Sequence, residues 1–140
     1  MSKFSAFMAK NVIRVENKKV VVSNRFQENG EPIEWEIRAI TSDENDELRR
    51  KSMVNVPVVG QRGAHTRELD DIKYTSALLA ASVVFPDLRD AELQDSYGVK
   101  TPEALLKKML MPTEEAKLAQ EVMSISEIEN FGALAQEAKN

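Results

Sequence analysis

At 140 residues, with 42% hydrophobic and 30% charged side chains, the chain is long enough for one domain with its own core and too apolar to be disordered throughout. It has no cysteine, which excludes disulfides and thiolate metal sites and suits a reducing compartment. The net charge of −4 argues against a general nucleic-acid binder, no apolar run can span a bilayer, and the first residues are too interrupted for a signal-peptide core. The expectation is a cytoplasmic protein that engages neither nucleic acid nor membrane.

The charge is uneven, with six Lys/Arg against Glu16 alone from Met1 to Arg25. In this basic arm Phe4, Phe7 and Met8 fall at i, i+3 and i+4, which predicts a short amphipathic helix with Ser2 as a candidate N-cap. The β-branched run Val20-Val21-Val22 within Lys18 to Phe26 predicts a strand. Asn29-Gly30 suits the positive φ angles of a type I′ turn. Ile33, Trp35, Ile37 and Ala39 then alternate with Glu34, Glu36 and Arg38, a half-buried strand with Pro32 at its start and Trp35 on the inner face.

Thr41 and Glu44 fit a capping box opening a helix to about Met53, acids first and bases last, as the helix dipole favours. Val54, Val56 and Val58 alternate, but Pro57 demotes that segment to an edge strand or a loop. Gly60 and Gly63 bracket a turn, and His65 is read as part of the same polar loop. A helix is expected from near Leu69 to Val84, apolar nearly all round in its second half and therefore central. Pro86 ends it. A short helix over Arg89 to Tyr97 closes on Gly98. Thr101-Pro102 supplies an N-cap and an N1 proline ahead of the stripe Leu105, Leu106, Met109, Leu110. Pro112 restarts a helix with the stripe Leu118, Val122, Ile125. The expected division is an N-terminal arm over 1–15, one α+β domain over 16–125, and a weakly helical tail over 126–140 whose mobility stays open. The fold class is α+β, a small antiparallel hairpin or sheet in the N-terminal half packed on a mainly helical C-terminal half.

No chemistry emerges from the motifs. His65 is the only histidine, so zinc would need an otherwise all-carboxylate set. Asp43-Glu44-Asn45-Asp46-Glu47 lacks the spacing of a calcium loop and is explained by a helix start. No nucleophile elbow, P-loop or dinucleotide fingerprint occurs. No catalytic residue, cofactor or metal ligand is assigned.

The most distinctive stretch is Phe85-Pro86-Asp87-Leu88-Arg89-Asp90-Ala91-Glu92-Leu93-Gln94-Asp95-Ser96-Tyr97-Gly98-Val99, followed by Pro102-Glu103-Ala104-Leu105-Leu106 and Met109-Leu110. Upstream come Glu16-Asn17-Lys18, Val20-Val21-Val22-Ser23, Trp35-Glu36-Ile37-Arg38-Ala39-Ile40-Thr41-Ser42, Glu47-Leu48-Arg49 and Thr66-Arg67-Glu68-Leu69-Asp70. In these blocks, over roughly residues 1–125, the chain resembles the XkdN-like phage tail assembly chaperones. The resemblance implies a non-enzymatic, cofactor-free protein of a phage or prophage tail module. Its implied partners are other tail proteins, above all the tape-measure protein, which such chaperones keep soluble until tube subunits surround it. It also implies that the protein leaves before the virion is complete, and related systems often make a longer form by ribosomal frameshifting. Where the family tends to show a Gly-Glu pair after Met-Leu, this chain has Pro112-Thr113-Glu114-Glu115.

A protein that holds others must offer apolar surface for them to cover. The candidates are Phe4, Phe7 and Met8 in the arm and Ile128, Phe131 and Leu134 in the tail, although either stripe could instead pack on the domain's own core. A homo-oligomer stays open. So do a structural tail component retained in the particle, a small carboxylate enzyme, and a regulator that binds nucleic acid through the basic arm.

Overall fold

Asn29 and Gly30 both adopt positive φ, 56° and 81°, and turn the chain between β2 (Gln27–Glu28) and β3 (Glu31–Pro32). Below this tip, β1 (Lys18–Val20) runs antiparallel to β4 (Trp35–Ile37), with Lys18 opposite Ile37 and Val20 opposite Trp35. The hairpin is interrupted. Residues 21–26 oppose only 33–34, because Gln27 pairs with Pro32 while Val20 pairs with Trp35. The surplus bulges out of the ladder and turns Val22 and Ser23 inward, where both are buried. Pro32 lies inside the short tip ladder, where an edge position spares it from donating. The computed structural model describes residues 3–125; the expectations for Ser2, Ile128, Phe131 and Leu134 lie outside the described residues.

α1 (Ser42–Lys51) starts on the capping box. The Glu44 N–H donates to Thr41 Oγ1 at 3.2 Å, and the Thr41 N–H donates to Glu44 Oε1 at 3.0 Å. The helix stops at Lys51, two residues before the expected end, because Met53 opens β5 (Met53–Pro57). β5 pairs antiparallel with β6 (His65–Leu69), from Met53 opposite Leu69 to Pro57 opposite His65. In this two-stranded sheet β5 is an edge strand, one of the two outcomes expected for the Val54–Val56 segment, with Pro57 at the far end of the ladder. His65, by contrast, belongs to a strand, not to the loop expected for it. His65-Thr66-Arg67-Glu68 is exposed throughout, so it carries no alternating apolar signal and becomes a strand through backbone pairing with β5.

α2 (Asp71–Ser82) is capped by Asp70, whose Oδ1 accepts from the Lys73 N–H at 3.1 Å. It packs against α1, and against α4 and α5 introduced below, and is central as expected. It ends at Ser82, not Val84. Val83–Phe85 forms β7, the third strand of a sheet ordered β1-β4-β7. Helical periodicity extended through these residues, but two adjacent valines resist helix and the free edge of β4 offers a ladder.

α3 (Ala91–Ser96) is capped by Asp90 and followed by Gly98 at φ 69°. α4 (Pro102–Met109) is capped by Thr101, and α5 (Pro112–Ser124) completes the fold. The stripes Leu105, Leu106, Met109, Leu110 and Leu118, Val122, Ile125 are all buried, in one cluster with Trp35, Ile37, Leu79 and Leu88. The fold is α+β, as the sequence led us to expect.

Candidate partner-binding surface

The strongest polar cluster fastens the two halves of the chain together. Glu114 opens α5 and reaches back to the bulge between β1 and β4. It accepts from Arg25 Nε at 3.0 Å, from Arg25 Nη2 at 2.5 Å, from the Met111 N–H at 2.7 Å and from Ser23 Oγ. Arg25 Nη2 also donates to the Met109 carbonyl at 2.8 Å, and its guanidinium lies 5.1 Å over the Phe26 ring. The Arg25 hydrogen bonds, then Ser23 and the Met111 N–H, pull the Glu114 carboxyl from the ordinary 4.5 to about 2. Glu44 falls equally far, chiefly through Arg38, whose Nη2 lies 2.6 Å away, and then through the Thr41 N–H. Both shifts hold the negative charge in place. A carboxylic acid that donates protons near neutrality needs a shift upward. These groups therefore act as fasteners between segments.

The remaining polar candidates do not converge. His65 is exposed on β6 opposite Pro57, and among the described residues no three metal-ligating side chains come together. Gly60 and Gly63, at φ 82° and 78°, shape the turn between β5 and β6.

The apolar arm is a different matter. In place of an amphipathic helix there is one 3₁₀ turn, Ser5–Phe7, after which Met8 is extended. Asn11 Nδ2 donates to the Ser5 carbonyl at 2.7 Å and folds the segment back on itself. So short a helix has too few hydrogen bonds to offset its nucleation. Phe4 is 63%, Phe7 79% and Met8 46% exposed. The structure therefore brings these three side chains into one exposed turn, off the domain's core. It extends the apolar run to Val12 and Ile13, which are also exposed. The tail candidates Ile128, Phe131 and Leu134 are outside the described residues. A second surface, which no local motif announces, is a groove along α1 and α2.

The family model described as "Phage XkdN-like tail assembly chaperone protein, TAC" matches residues 4–139. The chain is 28% identical over 139 residues to the phage-like element PBSX protein XkdN of Bacillus subtilis (strain 168), covering 97% of this chain and 93% of that one. It is 27% identical over 107 residues to the uncharacterized protein YqbN of the same strain, covering 76% and 70%. The crystal structure of the protein YqbN superposes with a TM-score of 0.73 at 24% identity, covering 89% of this chain and 96% of that one, which establishes the shared fold. With a family match over nearly its whole length, and with core, caps and hairpin in place, this chain belongs to the XkdN-like phage tail assembly chaperone family.

Proposed function

We propose that this protein holds the tape-measure protein of its tail module in soluble form during tail assembly, in the host cytoplasm and without catalysis, cofactor, nucleic acid or membrane. The observation that carries the reading is the exposed arm, Phe4, Phe7 and Met8 with Val12 and Ile13 behind them. Contiguous apolar side chains left in water are unfavourable unless a partner covers them. Methionine, with its flexible thioether, adapts to varied partner surfaces. The basic charge of the arm adds attraction for an acidic client. Ile128, Phe131 and Leu134 are assigned the same role on sequence grounds.

Co-expression with the tape-measure protein of the same module tests this. The expected result is a soluble complex of the two chains. If the tape-measure protein pellets equally with and without this chain, the reading falls. Finding the chain at stoichiometric level in purified particles would favour a retained structural component instead.

A further inference from the structure

Two adjoining hollows of about 710 and 610 Å³ share Leu48, Ala81 and Arg89 and so form one groove. Its floor is small or apolar: Leu48 from α1, Ala77, Ala80 and Ala81 from α2, and Val83 and Val84 from β7. Small side chains on a helix surface let a second helix approach closely. The two ends of the groove carry opposite charge. One is rimmed by Asp43, Glu44, Glu47 and Asp87, with Arg38 already engaged by Glu44. The other is rimmed by Lys51, Lys73 and Lys107, against Glu103. Part of this polarity comes from α1, whose acids occupy the first turn and whose bases occupy the last, the order its own dipole favours. Lys107 is held by Glu115 at 2.8 Å and Lys51 lies 3.8 Å from Glu47. Lys73 and Arg89 make no ion pair among the described residues.

We propose that this groove seats one amphipathic helix of a partner. The apolar face of that helix lies on the alanine floor, its acidic end over Lys51 and Lys73, and its basic end over Asp43 and Asp87. α1 flanks the groove with 10 residues, about 15 Å of helix, which matches roughly three turns of a partner. The opposed rims set which way round that helix lies, a discrimination the arm cannot supply because its charge has one sign. For the identity of the partner, this inference rests on the client-holding reading.

The test uses the full chain and a fluorescent, alanine- and leucine-based helical peptide of about 18 residues. Two glutamates mark one end and two lysines the other; in a control peptide all of these are glutamine. The charged peptide is expected to bind about tenfold more tightly than the control at low salt, and to lose most of that advantage near ~0.5 M salt. Lys73→Glu with Arg89→Glu lowers its affinity about tenfold, and Ala81→Trp, which fills the floor, abolishes binding. Equal binding of the two peptides, or unchanged binding by the Lys73→Glu/Arg89→Glu protein, overturns the groove. These rim residues are exposed, so that variant folds even if Ala81→Trp does not. A peptide that binds while the tape-measure protein stays insoluble refutes the client-holding reading and keeps the groove; the reverse result refutes the groove alone.

Discussion

The arm and the C-terminal helices begin from the same sequence pattern and end in opposite places. Phe4, Phe7 and Met8 share the i, i+3, i+4 spacing of Leu106, Met109 and Leu110, yet the first set is exposed and the second is buried. The difference lies in what surrounds each stripe. α4 has a full N-cap at Thr101 and packs against α2, so its apolar face is covered as soon as the helix forms. The arm has one 3₁₀ turn with no side-chain cap, and its large apolar side chains stay about half or more exposed. An apolar stripe thus reports that a surface is to be covered, and the tertiary context decides whether the cover comes from the same chain or from another.

Leu118 is fully buried. Leu118→Ala should cost about 3 kcal/mol of folding stability through lost transfer energy and a residual cavity, measured by urea unfolding. A cost below about 1 kcal/mol would mean that α5 packs loosely and that the contrast with the arm is overdrawn. Acid unfolding probes the fastener. Glu114 and Glu44 titrate lower in the folded protein than in the unfolded chain. Their stabilisation is therefore fully present above the ordinary 4.5 and disappears as pH falls through about 2. The thermal midpoint should drop across that window, and the Glu114→Gln/Glu44→Gln protein should start lower at neutral pH and show a flatter decline. An identical decline in the variant would remove these two ion pairs as its cause. The smallest effect is expected in the arm. Deleting residues 1–10 should shift stability by no more than about 0.5 kcal/mol while weakening the complex with the tape-measure protein. A large loss of thermal stability would show instead that Phe4 and Phe7 serve the fold.

Much of the architecture was legible because the responsible groups are close in sequence. The Asn29-Gly30 turn, the Thr41/Glu44 capping box, the Thr101-Pro102 start and the Gly98 stop each involve partners within a few residues. The arm candidates were legible as apolar side chains, though not as a 3₁₀ turn. Three features were not legible. β6 presents a polar face on both sides and exists only because β5 lies beside it. β7 continues a helical pattern and becomes a strand only because β4 has an open edge. The groove draws its walls from α1, α2, α4 and β7, and no local window of sequence contains it.

Periodicity, caps and turn chemistry thus specify where the elements begin and which faces are apolar, since those preferences act over one or two turns of chain. Pairing across the fold specifies the rest. Arg25 meets Glu114 across 89 residues, and the bulge of residues 21–26, which outnumber 33–34 opposite them, is tied down by that helix residue. Contacts of that range depend on which elements fold against each other, and only the assembled domain places α4 and α5 over the sheet while leaving the arm in water.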